Sequence, residues 1–369
     1  MAKNPVHVMA VVGARPNFIK MSALLRELTA HPRFRVTLLH TRQHHDENLS
    51  EVFFRQLGIP SPDVQLEIPR GNHAAQTADT MREFDLALNR LPLADLLLVV
   101  GDVNSTLACS LVAVKRGIRI AHVEAGLRSF NWAMPEEINR VITDRISDYL
   151  FTPSADADRN LEREGIPPER IFLVGNVMID TLLAHRDEAR SCRTPEGLGL
   201  SRGGYAVATL HRQENVDDPR VLAGLLGALE EAATRLPVVF PVHPRTRKQL
   251  ERATWVERAS QFGVRLLDPL GYLQFLDLVS AARVVLTDSG GLQEETTILG
   301  VPCLTLRGET ERPVTVSEGT NRVVGVEPTA IREALDEVLE GSVGAPRSPA
   351  LWDGLAARRV VEALERVLP

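Results

Sequence analysis

Short apolar runs alternate with longer stretches of mixed polarity along nearly the whole chain. VHVMAVVG from Val6, RVTLLHT from Arg35, LADLLLVVGD from Leu93, IRIAHVEAG from Ile118, YLFTPS from Tyr149 and IFLVGN from Ile171 read as strands. Runs this continuously apolar suit strands buried on both faces. Between them the pattern predicts helices: Pro16 to about His31, His73 to Asn89, a helix capped by Asn104 or Ser105 and running to Lys115, and Pro135 to about Ser147. Strand-helix alternation of this kind specifies a doubly wound parallel sheet.

The pattern weakens between Arg186 and Gly204, which reads as a surface connection between domains. Alternation then restarts with YAVATLHR, a helix from Pro219 to Leu236, VVFPVHP, VRLLDPL, GYLQFLDLVSAA and the strand at Val284, and two amphipathic helices close the chain. A length of 369 residues also asks for two cores. The expected division is residues 1–185, joined by the last helix at 350–369, and residues 186–349. LLLVVGDVNST and VVLTDSGGLQ repeat one design, an apolar strand ending in an Asp-containing turn before a helix. Two such sheets facing a cleft would bring those strand ends together.

Val284 to Gly300 is the most informative stretch. A buried strand closes at Asp288 and Ser289, Gly290 and Gly291 let backbone amides approach a ligand, and a helix runs to the stop at Gly300 and Pro302. Amides and helix dipole would favour phosphate there. Glu294 and Glu295 would repel it, unless a carboxylate accepts ribose hydroxyls instead, and the pattern then points to a nucleotide. The plain alternative is a Ser-capped helix whose glutamates answer the dipole.

Composition narrows the classes. A hydrophobic share of 44% and a charged share of 24% are those of a globular protein. With no spanning run and no signal-peptide pattern, a cytoplasmic location is expected, without a membrane partner. A net charge of −6 gives no reason to expect nucleic acid. Cys109, Cys192 and Cys303 suggest neither disulfides nor a metal, and the run His44 to Glu47 lacks metal-ligand spacing. No Gly-x-Gly-x-x-Gly fingerprint opens either half, which argues against a dinucleotide.

Ligands of open parallel sheets bind beyond the carboxyl ends of the strands. In the first half those ends carry Arg15, Asp102 and Glu124, with Glu136, Glu137 and Arg140 opening the next helix; in the second, His211, Arg212, His243, Arg245 and Asp288. Carboxylates gather in one half and phosphate-seeking groups in the other. Each has a plainer reading: Asp102 as a helix cap, Glu136 and Arg140 as an exposed i,i+4 pair, His211 as a core histidine. Glu124 ends an apolar strand, where an unpaired buried carboxylate would be costly, so a functional role is favoured.

Together, GARPNFIKM, GDVNSTLA, HVEAGLRSF, MPEEINR, VGNVMIDTL, TLHRQENV, PVHPRT, LTDSGGLQEE and ERPVTVSEGTN resemble the non-hydrolysing UDP-N-acetylglucosamine 2-epimerases, in that family's order over nearly the whole chain. The resemblance implies a glycosyltransferase-B architecture and epimerisation at carbon 2 through elimination and return of UDP. It needs neither metal nor nicotinamide cofactor, and it implies a homodimer. By the same resemblance Arg15, His211, Ser289, Gly290 and Gly291 hold the diphosphate, Glu295 the ribose and Phe275 the uracil. Arg312 completes the nucleotide site, and Lys20 is a further ligand contact. Asp102, Glu124, Glu136, Arg140 and His211 are the implied catalytic set. Two departures stand out. Leu270-Gly271 replaces a glutamine before the Tyr-Leu pair, and Gln43-His44-His45-Asp46 keeps only the start of the loop used for activation by a second substrate molecule. A related UDP-sugar such as a diacetamido-uronic acid is the alternative substrate. A UDP-sugar transferase and a silent UDP-sugar sensor are the alternative classes.

Overall fold

In the computed structural model, residues 5–42, 53–69, 71–341 and 347–369 are described; the departure at Gln43–Asp46 and the run His44–Glu47 lie outside the described residues. The predicted apolar runs form two wholly parallel sheets. The chain divides into one unit of Met1–Ala184 with Ala350–Pro369 and a second of His185–Pro349.

In the first unit β1 (Val6–Val12), β2 (Phe34–His40), β3 (Val64–Gln65), β4 (Leu96–Val100), β5 (Arg119–Val123), β6 (Tyr149–Thr152) and β7 (Ile171–Leu173) lie in the order β3-β2-β1-β4-β5-β6-β7. Every residue of β1 and β4 is buried, as their unbroken apolar sequence requires. The order reverses between β1 and β4, and beyond that switch point Gly13 closes on the helix that follows β4. A Cβ on Gly13 would fall 2.1 Å from Ser105 Oγ. A topological switch point of this kind is where open sheets bind ligands.

The second unit repeats the plan with β8 (Ala206–Thr209), β9 (Val238–Pro241), β10 (Val264–Leu267), β11 (Val284–Thr287), β12 (Cys303–Thr305) and β13 (Asn321–Val323) in the order β10-β9-β8-β11-β12-β13. Its switch point lies between β8 and β11, so the two Asp-containing turns seen as a repeat in the sequence occupy equivalent places.

Two local readings need correction. The weak stretch after Arg186 is not all connection: the Val177–Ser191 helix runs through it, and a short helix follows at Thr194–Gly197. The helix after β4 starts at Asn104 with Val103 as its uncharged cap residue, so neither Asn104 nor Ser105 caps it.

The C-terminal helix Ala356–Val367 packs on the Arg15–Ala30 helix and is tied at both ends. The Asp180 carboxylate accepts from the amides of Ala356 at 3.1 Å and Ala357 at 2.7 Å. Arg33 donates to the carbonyls of Glu365, Leu368 and Pro369 at 2.8, 2.6 and 2.7 Å. An acid at the amino end and a base at the carboxyl end satisfy orphan groups and oppose the helix dipole.

His40, at the end of β2, is buried against the rings of Phe18 and Phe54 at 5.3 and 5.8 Å. Burial, with help from Arg42, lowers its pKa to about 4. The fold therefore holds fewer protons here than the unfolded chain. The stabilisation is complete above the ordinary histidine range and is lost as pH falls from about 6.5 to about 4. The expected loss is on the order of 3 kcal/mol. Denaturant melts of wild type and His40→Leu between pH 7 and pH 4 check this. A variant whose stability falls as steeply as wild type's over that interval would exclude His40 as the source.

Candidate functional site

Asp102 follows β4 directly. Its side chain is 26% exposed, and its carboxylate takes both Nε, at 3.1 Å, and Nη2 of the buried Arg140. Helix capping is therefore not its role. Arg140 also donates from Nη1 to Glu137 at 2.5 Å. Glu137 is spent on structure: its carboxylate accepts from Ser129 N and Oγ at 2.9 and 3.0 Å and from Phe130 N at 2.9 Å. That grip holds Phe130 at a positive φ of 60°. Glu136, one position earlier and about 100° away around the helix, is half-buried.

Glu124 avoids the cost of an unpaired buried carboxylate. It is buried at a φ of 70°, and its Oε2 is paired with the ammonium of Lys20. Gly101 makes room for the pair. A Cβ there would meet Glu124 Oε2 at 3.2 Å and Lys20 Nζ at 3.3 Å, and its φ of 69° favours glycine. Lys20 thus sits among the carboxylates of the first unit. Arg15 opens the first helix; its side chain lies outside the described residues.

Behind these groups runs a buried network that the sequence reading did not identify. His122 Nδ1 lies 2.6 Å from Asp144 Oδ1 and its Nε2 lies 2.9 Å from the Gly101 carbonyl. Asp144 Oδ2 accepts from Arg128 at 2.7 Å and from Gly126 N at 3.1 Å, and Arg128 reaches Glu164 through two further bonds of 2.7 Å. Burial alone would raise the Asp144 pKa; His122 and Arg128 outweigh it and hold the carboxyl below its ordinary range.

In the second unit Asp288 joins the two strand ends at the switch point. It is fully buried and accepts from His211 N at 3.1 and 3.0 Å, from Arg212 N at 2.9 Å and from Asn215 at 3.2 Å, with His211 Nδ1 at 2.8 Å. Burial opposes ionisation, but the His211 ring and these donors prevail and lower the Asp288 pKa. His211 is not a core histidine: its side chain is 39% exposed.

The Gly290–Leu299 helix has no side-chain cap, so the Ser289-capped alternative fails. Gly290 instead leaves room for two side chains: a Cβ would lie 2.4 Å from Arg312 Nη1 and 2.8 Å from Glu311 Oε1, so both would have to shift. Glu311 is the centre of a guanidinium cluster, with Arg312 at 2.6 Å, Arg307 at 2.9 Å and Arg212 at 3.6 Å. Arg312 Nε also lies 2.8 Å from Glu294 Oε1. Arg307 had no local signal, and Glu311, although it opens the ERPVTVSEGTN motif, was not singled out; its place beside Gly290 and between the arginines marks it.

Glu295 is different. It is buried and no described residue hydrogen-bonds its carboxyl. Burial first, and the charge of Glu294 second, push its pKa up to about 8. Phe275 is half-buried on the Tyr272–Ser280 helix and packs on the cluster around Tyr205 and Val285. Among the described residues no group of three or more His, Cys, Asp or Glu side chains could hold a metal.

A family model described as UDP-N-acetylglucosamine 2-epimerase matches residues 26–365. The chain is 42% identical to a UDP-2,3-diacetamido-2,3-dideoxy-D-glucuronate 2-epimerase of Pseudomonas aeruginosa, over 98% of this chain and 99% of that one. It is 40% identical to a UDP-N-acetylglucosamine 2-epimerase of Methanococcus maripaludis, over 90% and 91%. The crystal structure of the Methanocaldococcus jannaschii UDP-GlcNAc 2-epimerase in complex with UDP-GlcNAc and UDP matches with a TM-score of 0.91 and 38% identity, over 98% of this chain and all of that one.

Proposed function

From the premise that the chain belongs to the UDP-N-acetylglucosamine 2-epimerase family, a family of isomerases, we propose that it interconverts UDP-N-acetylglucosamine and UDP-N-acetylmannosamine. The observation that carries this reading is Glu295, a buried carboxyl without a hydrogen-bond partner among the described residues, in the helix whose amino end, Ser289 to Gly291, has no side-chain cap. A diol on the carboxyl and a phosphate at the helix end would each satisfy what the fold leaves open.

In the proposed reaction the bond from carbon 1 to the phosphate oxygen breaks first and a base then takes the hydrogen from carbon 2, giving 2-acetamidoglucal and UDP. A proton then enters carbon 2 from the other face, and the phosphate oxygen bonds to carbon 1 again. The hydrogen at carbon 2 is weakly acidic, so the leaving group must depart ahead of it. Stabilising UDP is therefore the larger task, assigned to Arg15, His211, Arg312 and the amides of Ser289 to Gly291. Phe275 would lie against the uracil. Asp102 and Glu136 are the proton-handling pair. Glu124, with Lys20 and Arg140, sets the charge around the developing cationic sugar.

The identity to the P. aeruginosa relative supports a second reading, in which the substrate is a UDP-diacetamido-uronic acid. Proton NMR in heavy water with each UDP-sugar separates them. Deuterium at carbon 2 together with a manno-configured product is expected for the true substrate. Exchange with neither, while UDP still binds, would overturn epimerisation in favour of transfer to an acceptor.

A further inference from the structure

We propose that His122 is a positioning residue for Asp102, acting through the peptide plane that joins Gly101 to Asp102; this rests on the catalytic reading of Asp102. The turn after β4 is held from β5 on both sides of Gly101. Gly101 N donates to Val123 O at 3.1 Å, and Gly101 O accepts from His122 Nε2 at 2.9 Å. A carbonyl only accepts, so Nε2 carries a hydrogen there, while Nδ1 faces the Asp144 carboxylate. The peptide group is planar, so fixing the Gly101 carbonyl also fixes the amide and Cα of Asp102.

The next peptide is held as well: Asn139 Nδ2 donates to the Asp102 carbonyl at 2.8 Å. Arg140 then orients the carboxylate itself. His122 is in turn aimed by Asp144, which Arg128 and the Gly126 amide hold in place. The ring is fully buried, so it exchanges no proton with a sugar. Its work is to keep a left-handed glycine turn from rotating when Asp102 changes charge. A misplacement of about 1 Å at a reacting group can cost ~10²-fold in rate.

The test uses two substitutions that each keep one of the two contacts. The amide of His122→Gln can replace Nε2 toward Gly101 but not Nδ1 toward Asp144; that of His122→Asn does the reverse. With whichever UDP-sugar the enzyme turns over, His122→Asn is expected to lower kcat about 30- to 100-fold, with KM and UDP affinity unchanged. His122→Gln should stay within about fivefold of wild type, even if both variants melt earlier. Equal losses in the two, or a loss that appears in KM instead of kcat, would overturn the proposal. If His122→Asn does not fold, His122→Gln decides alone, and a loss beyond about 30-fold overturns it. A second readout needs no variant: a ¹⁵N-histidine spectrum of wild type should contain a solvent-protected Nε2–H resonance that moves when the UDP-sugar is added, and a resonance that stays fixed overturns the proposal. Asp102→Asn is measured alongside. If it keeps full turnover the catalytic reading itself fails, whereas an inactive Asp102→Asn beside a fully active His122→Asn removes this inference only.

Discussion

Asp102→Asn is expected to lower kcat by about 10²- to 10⁴-fold, the range a positioned acid or base supplies, while UDP affinity stays within about threefold. The substitution keeps the shape and one acceptor for Arg140, so the local structure has little reason to move. Arg140 retains its bond to Glu137. What is lost is the group's ability to take and return a proton. Of the groups proposed to hold UDP, His211, Phe275, Glu295, Arg312 and the amides of Ser289 to Gly291 belong to the second unit, and Arg15 shares a unit with Asp102. Epimerisation rates and calorimetric titration with UDP check both halves. Turnover within threefold of wild type would remove Asp102 from proton transfer, and a tenfold loss of UDP affinity would make it a binding residue.

The reason Asp102 could be picked out from sequence is also the reason its pairing could not. A strand of five buried apolar residues that ends in Gly-Asp announces where the sheet stops and polar side chains can gather. The same logic found Asp288, His211 and Ser289. It works because strand ends are consecutive in sequence, so the periodicity of local structure carries the information. Arg140 and Asp102 are 38 residues apart, and His122 and Asp144 are 22 apart. These pairings depend on which strands neighbour each other, something an alternating pattern leaves open.

Glu124 shows the limit in the other direction. Its burial was legible from the apolar strand before it, but the Lys20 that answers its charge comes from the first helix, 104 residues earlier. Charge alone would have assigned that lysine to a phosphate. The pairing of Glu311 was equally hidden, although the residue opens one of the recognisable motifs. Its role as the centre of three arginines follows from tertiary packing against Gly290, and a glycine in a Ser-Gly-Gly turn looks, in sequence, like a place for a ligand and nothing else.

Glu295 yields the second large effect. With its pKa pushed up to about 8, the carboxyl is mostly protonated at neutral pH in the free protein. Two ribose hydroxyls donating to it would favour the ionised form and draw its pKa down. UDP binding at pH 7 is therefore expected to release close to one more proton from wild type than from Glu295→Gln, read as the dependence of calorimetric heat on buffer ionisation enthalpy. The nucleotide's own phosphate ionisation is common to both proteins and cancels. Glu295→Ala should raise KM and the UDP dissociation constant about 10- to 100-fold, the worth of one charge-assisted hydrogen bond or more, with kcat changed only a fewfold. The sign of the linkage makes this a sharp test. Because the free protein holds the extra proton, affinity for UDP should rise with pH up to about 8 and level off above it, and Glu295→Gln should lack that rise. An equal proton release in the two proteins, or an unchanged KM in Glu295→Ala, would remove the ribose from Glu295 and leave its isolation in the core without a function.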